Sequence, residues 1–413
     1  MATKATLDLA KYNKKDEFYT LYKDIDKELS YYTKHFKGKI VYCNCDNPKY
    51  SNFWKYFYNN FKRLYLKKLI ATYYNPNGSA CAWEYEGSDK TLSVTPLLGN
   101  GDFASDECIE YLKQADIVVT NPPFSKFREY IALLTKYHKK FVVWANQNAI
   151  TYKQLFPLLM NHQVWVGGIA NKDMDFRVPE GYKYNQRLTN KMNDGHYYAK
   201  INMINTFTNL TLSKQTDYFK PTKHYNLEDN PNYDNYPAFE VARVNDLPVD
   251  NNIIAYIPLA RFPLWQDFYQ SDLEILDDIK PKTVTDLNFT IDLKQSDYRP
   301  VKVKIKNPVY GVPITALAKF NTGSYMSKHY NILGQAKGSD WDSINKIPTI
   351  AKYLNVDGFK SIDGEVRQIE HNRTRDTGPA ILLKEPPVGT YYVDPTIDGY
   401  IKILYSRLLI RHK

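Results

Sequence analysis

Over the first 170 residues the chain alternates between short, continuous apolar runs and longer stretches with apolar positions three and four apart. Lys39–Asp46 (KIVYCNCD) is predicted to be a buried strand. Ser51–Leu64 follows with Phe53, Trp54, Phe57, Phe61 and Leu64 at helical spacing. Leu66–Tyr74 is a second strand, and Ala82–Glu86 with Thr91–Leu97 form a hairpin around Gly87-Ser88-Asp89. Ser105–Gln114 is predicted helical with Ser105 as its cap. Strand Ile117–Thr120, helix Lys126–Tyr137, strand Lys140–Ala145, helix Thr151–Asn161 and strand Gln163–Gly167 complete the regular part. Strands alternating with helices predict an α/β fold with a mainly parallel sheet covered on both faces. Such sheets bind ligands at the carboxyl ends of their strands. Asp46, Asp102 and Asn121 lie at or just beyond such ends.

Beyond about residue 170 the alternation fades and prolines become frequent. Ile253–Tyr256, Val301–Ile305 and Val309–Ile314 read as short strands of a loop-rich, irregular α+β region. Gly334–Pro395 is polar, and Tyr400–Leu409 (YIKILYSRLL) is expected to return to the fold as a strand. The expected organisation is a core at 1–170, a second region at 171–399, and a C-terminal strand within 400–413.

Composition adds a partner and excludes some chemistry. The 413 residues are 43% hydrophobic and 24% charged, with a formal charge of +10, which favours a polyanionic partner. Tyrosine occurs 36 times, in places beside lysine, as in Trp54-Lys55-Tyr56-Phe57-Tyr58. Aromatics beside cations suit base stacking and phosphate pairing, and equally an amphipathic core. The four cysteines, Cys43, Cys45, Cys81 and Cys108, have no second Cys or His pair at ligand spacing, so no metal site is expected. No run approaches ~18 apolar residues and no leader is evident, so a soluble cytoplasmic protein without a membrane partner is expected.

The most informative stretch is Ala115–Ser125, where a β-branched run ends in Asn121-Pro122-Pro123-Phe124. The Asn121 side-chain oxygen and the Pro122 carbonyl are acceptors, and together they can take both hydrogens of an –NH₂ group. Pro122 and Pro123 restrict the backbone, and Phe124 offers a ring to stack on the base that carries the amine. The turn resembles the catalytic signature of amino-methyltransferases that use S-adenosylmethionine.

The chain as a whole resembles the EcoRI modification methylase family of adenine-specific DNA methyltransferases. The resemblance runs in order through Lys15–Thr20, Val41–Asp46, Ser51-Asn52-Phe53, Gly101-Asp102-Phe103, Asp116–Ser125 and Ile150–Lys153. It continues in islands at Val178–Tyr182, Thr208-Asn209-Leu210, Tyr233–Tyr236 and Gly311–Thr315. It implies a Rossmann-like catalytic domain that binds S-adenosylmethionine, with residues 171–399 as a target-recognition region. It also implies methyl transfer to the exocyclic amine of an adenine flipped out of double-stranded DNA, in restriction–modification or in protection of phage or plasmid DNA. Family members run almost directly from the Asp-Leu-Pro block into Gly-Val-Pro-Ile-Thr. Here Asn251–Pro308 intervenes, and 335–399 also looks like extra sequence. The prototype's site, GAATTC, is therefore not carried over.

Within that resemblance each residue has a role. Asn121, Pro122, Pro123 and Phe124 are the catalytic set. Tyr19 and Thr20 supply hydroxyls to the methionine carboxylate of the cofactor, and Asp46 pairs with its ammonium. Asp102 accepts from the cofactor's adenine amine, and Phe103 packs on that ring. Lys302, Lys304 and Lys306 alternate along a strand and share one face, suited either to phosphates or to plain solvation. The protein is expected to act as a monomer, with a cognate restriction endonuclease, where one exists, acting separately. Two alternatives stay open: methylation of an RNA base amine or a protein glutamine amide, and a non-catalytic nucleic-acid-binding protein.

Overall fold

The computed structural model describes residues 18–76, 78, 80–178, 189–191, 195–212, 219–225, 238–241, 243–258, 262–276, 300–320, 324–336 and 407–413, with short strands between 358 and 403. The chain forms two compact units, residues 1–218 with 317–324, and residues 219–316 with 325–413.

The first unit follows β1 (Tyr19–Thr20), α1 (Tyr22–Leu29), β2 (Ile40–Cys43), α2 (Asn52–Asn59), β3 (Lys68–Ala71), β4 (Cys81–Tyr85) and β5 (Ser93–Pro96). It continues with α3 (Asp106–Gln114), β6 (Ile117–Thr120), α4 (Phe127–Lys136), β7 (Lys140–Asn146), α5 (Phe156–Met160), β8 (Trp165–Val166), β9 (Lys172–Val178), β10 (Thr189–Lys191) and β11 (Tyr197–Thr208). One mixed sheet joins them in the order β1-β9-β11-β7-β6-β2-β3-β4-β5, with β8 and β10 also paired to β11. The centre, β7-β6-β2-β3, is parallel, and antiparallel strands extend it on both sides.

The pleat of the parallel centre explains its apolar runs. Val41, Cys43, Leu69, Ala71, Ile117, Val119, Val142 and Trp144 project to one face and join Ile25 and Leu29 of α1 and Phe53, Tyr56 and Phe57 of α2. On the other face the Tyr42 hydroxyl donates to the Cys108 carbonyl of α3 at 3.4 Å. Ser51 and Ser105 cap α2 and α3, their hydroxyl oxygens accepting from the Phe53 amide at 3.0 Å and the Cys108 amide at 3.4 Å.

Three expectations need correction. The helix expected over Thr151–Asn161 is confined to Phe156–Met160. Pro157 lacks an amide hydrogen and fits only a first turn, while a 3₁₀ turn at Gln147–Thr151 takes up the preceding residues. The sheet does not end near residue 170: β9 and the 12-residue β11 carry it to Thr208. A bulge between Ile201 and Ile204, with Met203 at φ 58°, breaks the period-two pattern that would have revealed β11. The C-terminal segment holds two strands, in different sheets, where one was expected.

The second unit contains β12 (Phe239–Glu240), β13 (Asn252–Pro258), α6 (Phe262–Tyr269), β14 (Leu273–Ile275), β15 (Pro300–Lys306), β16 (Val309–Pro313), α7 (Tyr325–His329) and β17 (Tyr330–Ala336). β18 (Gly358–Lys360), β19 (Val366–Arg367), β20 (Ile381–Leu383), β21 (Tyr392–Ile397), β22 (Tyr400–Ile403) and β23 (Arg407–His412) follow. The strands build three sheets, β12-β16-β23-β17, β13-β15-β14 and β19-β18-β20-β22-β21. Among its described residues, the segment expected as an insertion forms a small sheet with one helix. Its two ends meet, since the Asn307 amide donates to the Asn251 carbonyl at 2.9 Å. Along β15, Val301, Val303 and Ile305 are buried while Lys302, Lys304 and Lys306 share the opposite, more open face, as their spacing predicts. No helix among the described residues is long and apolar enough to cross a membrane.

Candidate active site

The parallel register brings the carboxyl ends of β2, β6 and β7 side by side, and a ring of hydrogen bonds ties together the loops that leave them. Asp46, three residues past β2, is buried at 7% exposure. Its carboxylate accepts from the Ser51 hydroxyl at 2.7 Å and from the Thr120 hydroxyl, at the end of β6, at 2.5 Å. Ser51 also caps α2, so Asp46 sits beside a helix N-terminus that favours its charge. The next residue, Asn52, donates from Nδ2 to the Thr20 carbonyl at 2.8 Å. The segment 18–20 returns to β6, because Asn121 Nδ2 donates to the Phe18 carbonyl at 2.8 Å.

That last bond decides the chemistry of Asn121. A carbonyl can only accept, so the NH₂ end of the amide must face Phe18. The oxygen end, Oδ1, is buried and has no hydrogen-bond partner among the described residues. A buried polar atom without a partner costs about 1–3 kcal/mol, so Oδ1 at the carboxyl end of a central strand is an acceptor suited to an incoming donor. Thr20 Oγ1, also buried, is likewise without a partner among these residues. Pro122 is buried, and the Pro123 carbonyl accepts from the Lys126 amide at 3.0 Å, which closes the turn. Phe124 is partly buried and stacks on Phe18 with ring centroids 5.7 Å apart, and Phe176 meets both rings edge-on.

The third part of the site is the loop after β5. Gly101 adopts φ +75°, and a Cβ there would fall on the Tyr73 carbonyl oxygen, so only glycine brings the loop this close to the strand ends. Asp102 follows. One carboxylate oxygen accepts from the Ala104 amide at 3.0 Å and the other from Lys126 Nζ at 2.7 Å. Partial burial works against its charge, but the hydrogen bonds from Lys126 and Ala104 and the Lys126 charge outweigh it and hold the carboxyl below its ordinary range. Phe103 is not open to a ligand along its length: it is 5% exposed and packs edge-on against Tyr130 at 5.1 Å. The Tyr130 hydroxyl in turn donates to Asn44 Oδ1. Tyr19 is half-buried and meets Tyr50 edge-on at 6.4 Å.

The structure therefore ties Thr20, Asp46 and Asn121 into one ring, sets Phe124 on the residue that orients Asn121, and joins Asp102 to the end of the same turn through Lys126. Sequence reasoning named these positions but missed four that hold them: Phe18, Thr120, Lys126, and Ser51 in its bond to Asp46. Thr120 and Lys126 flank the Asn-Pro-Pro-Phe turn, and a hydroxyl at a strand end facing an aspartate was the available signal. Gln147, buried at the end of β7 with Oε1 unpartnered among the described residues, is a further polar group that periodicity does not reveal. Burial pushes the thiols of Cys43 and Cys45 well above their ordinary values, so neither is poised to react.

An α/β sheet with an amide acceptor, a proline-locked turn and an aromatic ring at its carboxyl edge is suited to holding a planar amine. The profile described as "Adenine-specific methyltransferase EcoRI" matches residues 6–307, and the chain belongs to that family. The Type II methyltransferase M.EcoRI of Escherichia coli is 42% identical over 277 residues, covering 62% of this chain and 85% of that protein. The Type II methyltransferase M.MpnI of Mycoplasma pneumoniae is 41% identical over 245 residues, 58% of this chain and 76% of the relative. The Type II methyltransferase M.MgeORF184P of Mycoplasma genitalium is 36% identical over 303 residues, 71% and 94% of the two chains. No solved structure matches the chain. The protein is an adenine-specific DNA methyltransferase that uses S-adenosylmethionine.

Proposed function

We propose that this protein is a Type II modification methyltransferase that methylates the exocyclic amine of one adenine, flipped out of duplex DNA, within a specific site. The observation that carries the reading is the Asn121 amide, turned by the Phe18 carbonyl so that its oxygen is buried, fixed and free to accept. In this reading Asn121 Oδ1 and the Pro122 carbonyl take the two hydrogens of the target amine. Both are oriented before the substrate arrives, so nitrogen's lone pair is aimed without a strong base. The amine lies inside a base pair in duplex DNA, which is why the base must leave the stack. Phe124, braced from behind by Phe18, offers its remaining surface to that base.

The donor set suits the cofactor. Thr20 Oγ1, without a partner among the described residues, is a hydroxyl for a carboxylate, Asp46 an anion for an ammonium, and Asp102 an anion for an adenine amine. Tyr19 lies beside Thr20 on the same short strand. S-adenosylmethionine, when bound, supplies a methyl carbon made electrophilic by its sulfonium. Phe103 contributes by fixing the loop from below rather than by offering an open face. The parallel centre of the sheet, with helices on both faces, is the Rossmann-like element of this reading.

In this reading the target-recognition region, expected over 171–399, lies in the part from 219 onward, with the β15 lysines on DNA phosphates. The protein works as a monomer in the cytoplasm beside a separately acting endonuclease of the same site. Long-read sequencing of DNA from a host with and without the gene tests the whole reading. N6-methyladenine at one recurrent sequence, present only with the gene, supports it. Unmodified DNA beside transfer of label to RNA or protein would overturn it.

A further inference from the structure

Lys126 touches both the catalytic turn and the loop assigned to the cofactor, and none of the roles described above uses it. It stands two positions after Phe124, and its amide closes the turn by donating to the Pro123 carbonyl at 3.0 Å. Its ammonium reaches across to Asp102 Oδ2 at 2.7 Å. It also lies 5.5 Å from the centroid of Phe103 and 6.0 Å from that of Tyr74, so aromatic faces line its path. The other Asp102 oxygen is held by the Ala104 amide, and Gly101 fixes where the aspartate stands. The carboxylate is thus oriented at both oxygens, each of which keeps a lone pair for a further donor.

We infer that Lys126 is a positioning residue that couples cofactor occupancy to the shape of the adenine-accepting turn. The inference rests on the assignment of Asp102 to the cofactor's adenine amine. A cofactor that engages Asp102 strengthens the orientation of that carboxylate. Through Lys126 it fixes the C-terminal end of the turn that begins at Asn121. The same link runs in reverse, so a flipped base held by the turn raises cofactor affinity by the same factor. The ion pair is half-open to water, which limits the coupling to a modest size.

The test is calorimetric titration of the full chain with S-adenosylmethionine, alone and in the presence of duplex DNA carrying its site, for wild type, Lys126→Gln, Lys126→Arg, Asp102→Asn and the double variant Lys126→Gln/Asp102→Asn. Lys126→Gln is expected to weaken cofactor binding about five- to tenfold and to abolish the DNA-dependent gain in affinity, with Lys126→Arg restoring most of both. In the Asp102→Asn background the glutamine should cost nothing further. Cofactor affinity unchanged in Lys126→Gln, or losses from the two single variants that simply multiply, would overturn the inference while leaving the assigned function intact. A wild-type protein that binds S-adenosylmethionine but is indifferent to Asp102→Asn would instead remove the assignment of Asp102. Melting temperatures of the same variants separate loss of folding from loss of coupling.

Discussion

Replacing Asn121 by alanine separates chemistry from folding in this site, because the two ends of the amide carry effects of opposite sign. The nitrogen end gives one hydrogen bond, to the Phe18 carbonyl at 2.8 Å. A bond of that kind contributes about 0.5–1.5 kcal/mol to stability. The oxygen end is buried without a partner, and its presence costs about 1–3 kcal/mol in the free protein. Removing both leaves stability close to unchanged, so the melting temperature should move little. The transition state has no such offset. A pre-organised acceptor of this type is worth about 10²–10³ in rate, or about 2.7–4 kcal/mol. The assay is single-turnover transfer of tritiated methyl to duplex DNA, which keeps product release out of the measured rate. Calorimetric titration with S-adenosylmethionine runs beside it. The expected outcome is a rate down by that factor with cofactor affinity nearly preserved. Wild-type turnover in the variant would refute the argument. So would a loss of cofactor affinity as large as the loss of rate, because Asn121 would then serve the donor rather than the amine.

Asp102→Asn should weaken S-adenosylmethionine binding by about tenfold, since a charged acceptor becomes a neutral one. The same variant changes acid stability with a definite sign. The folded-state pKa of Asp102 is lowered, so its contribution is present above its unfolded value near ~4 and is lost as pH falls through the lower folded value. Thermal melts between about pH 5 and pH 2 should therefore fall less steeply in the variant than in wild type; parallel curves would show that the Lys126 pair does not persist in solution. Changing Lys302, Lys304 and Lys306 together to glutamine should lower the salt dependence of DNA binding by up to about 0.9 in log–log slope for each phosphate no longer neutralised. Equilibrium binding at several salt concentrations measures it, and an unchanged slope would return the three lysines to plain solvation.

The catalytic half was legible because its central strands are buried on both faces and read as apolar runs, and because glycine, proline and capping serines punctuate them. Ile117–Thr120 falls where its run ends, and Ser105 caps the helix it was expected to cap. The turn at Asn121 could be read as a candidate amine site because its acceptors are local in sequence. What holds it in place was not legible: Phe18 orients Asn121 from 103 positions away, and the Asp46–Thr120 bond spans 74. Contacts of that separation leave no periodic trace. β11 was hidden by its bulge, and the packing of Phe103 on Tyr130 was not legible because an aromatic after Gly-Asp gives no sign of which way it turns. In the second unit, short strands with two to seven residues and intervening prolines carry too little pattern to order into sheets.

The segment between Asn251 and Asn307 enters and leaves the second unit at one point, its first and last strand residues being paired neighbours. A segment attached this way costs its host little in loop closure whatever its length. It is also anchored: Trp265 packs against Phe239 with centroids 5.2 Å apart, and the Tyr269 hydroxyl accepts from the Val309 amide at 3.2 Å. A lineage can therefore lengthen, shorten or exchange the residues between those anchors with little strain on the β12-β16-β23-β17 sheet that holds them. On the proposed reading, in which this region recognises DNA, such an attachment lets the enzyme's dialect, the DNA word it marks, drift while its chemistry stays constant.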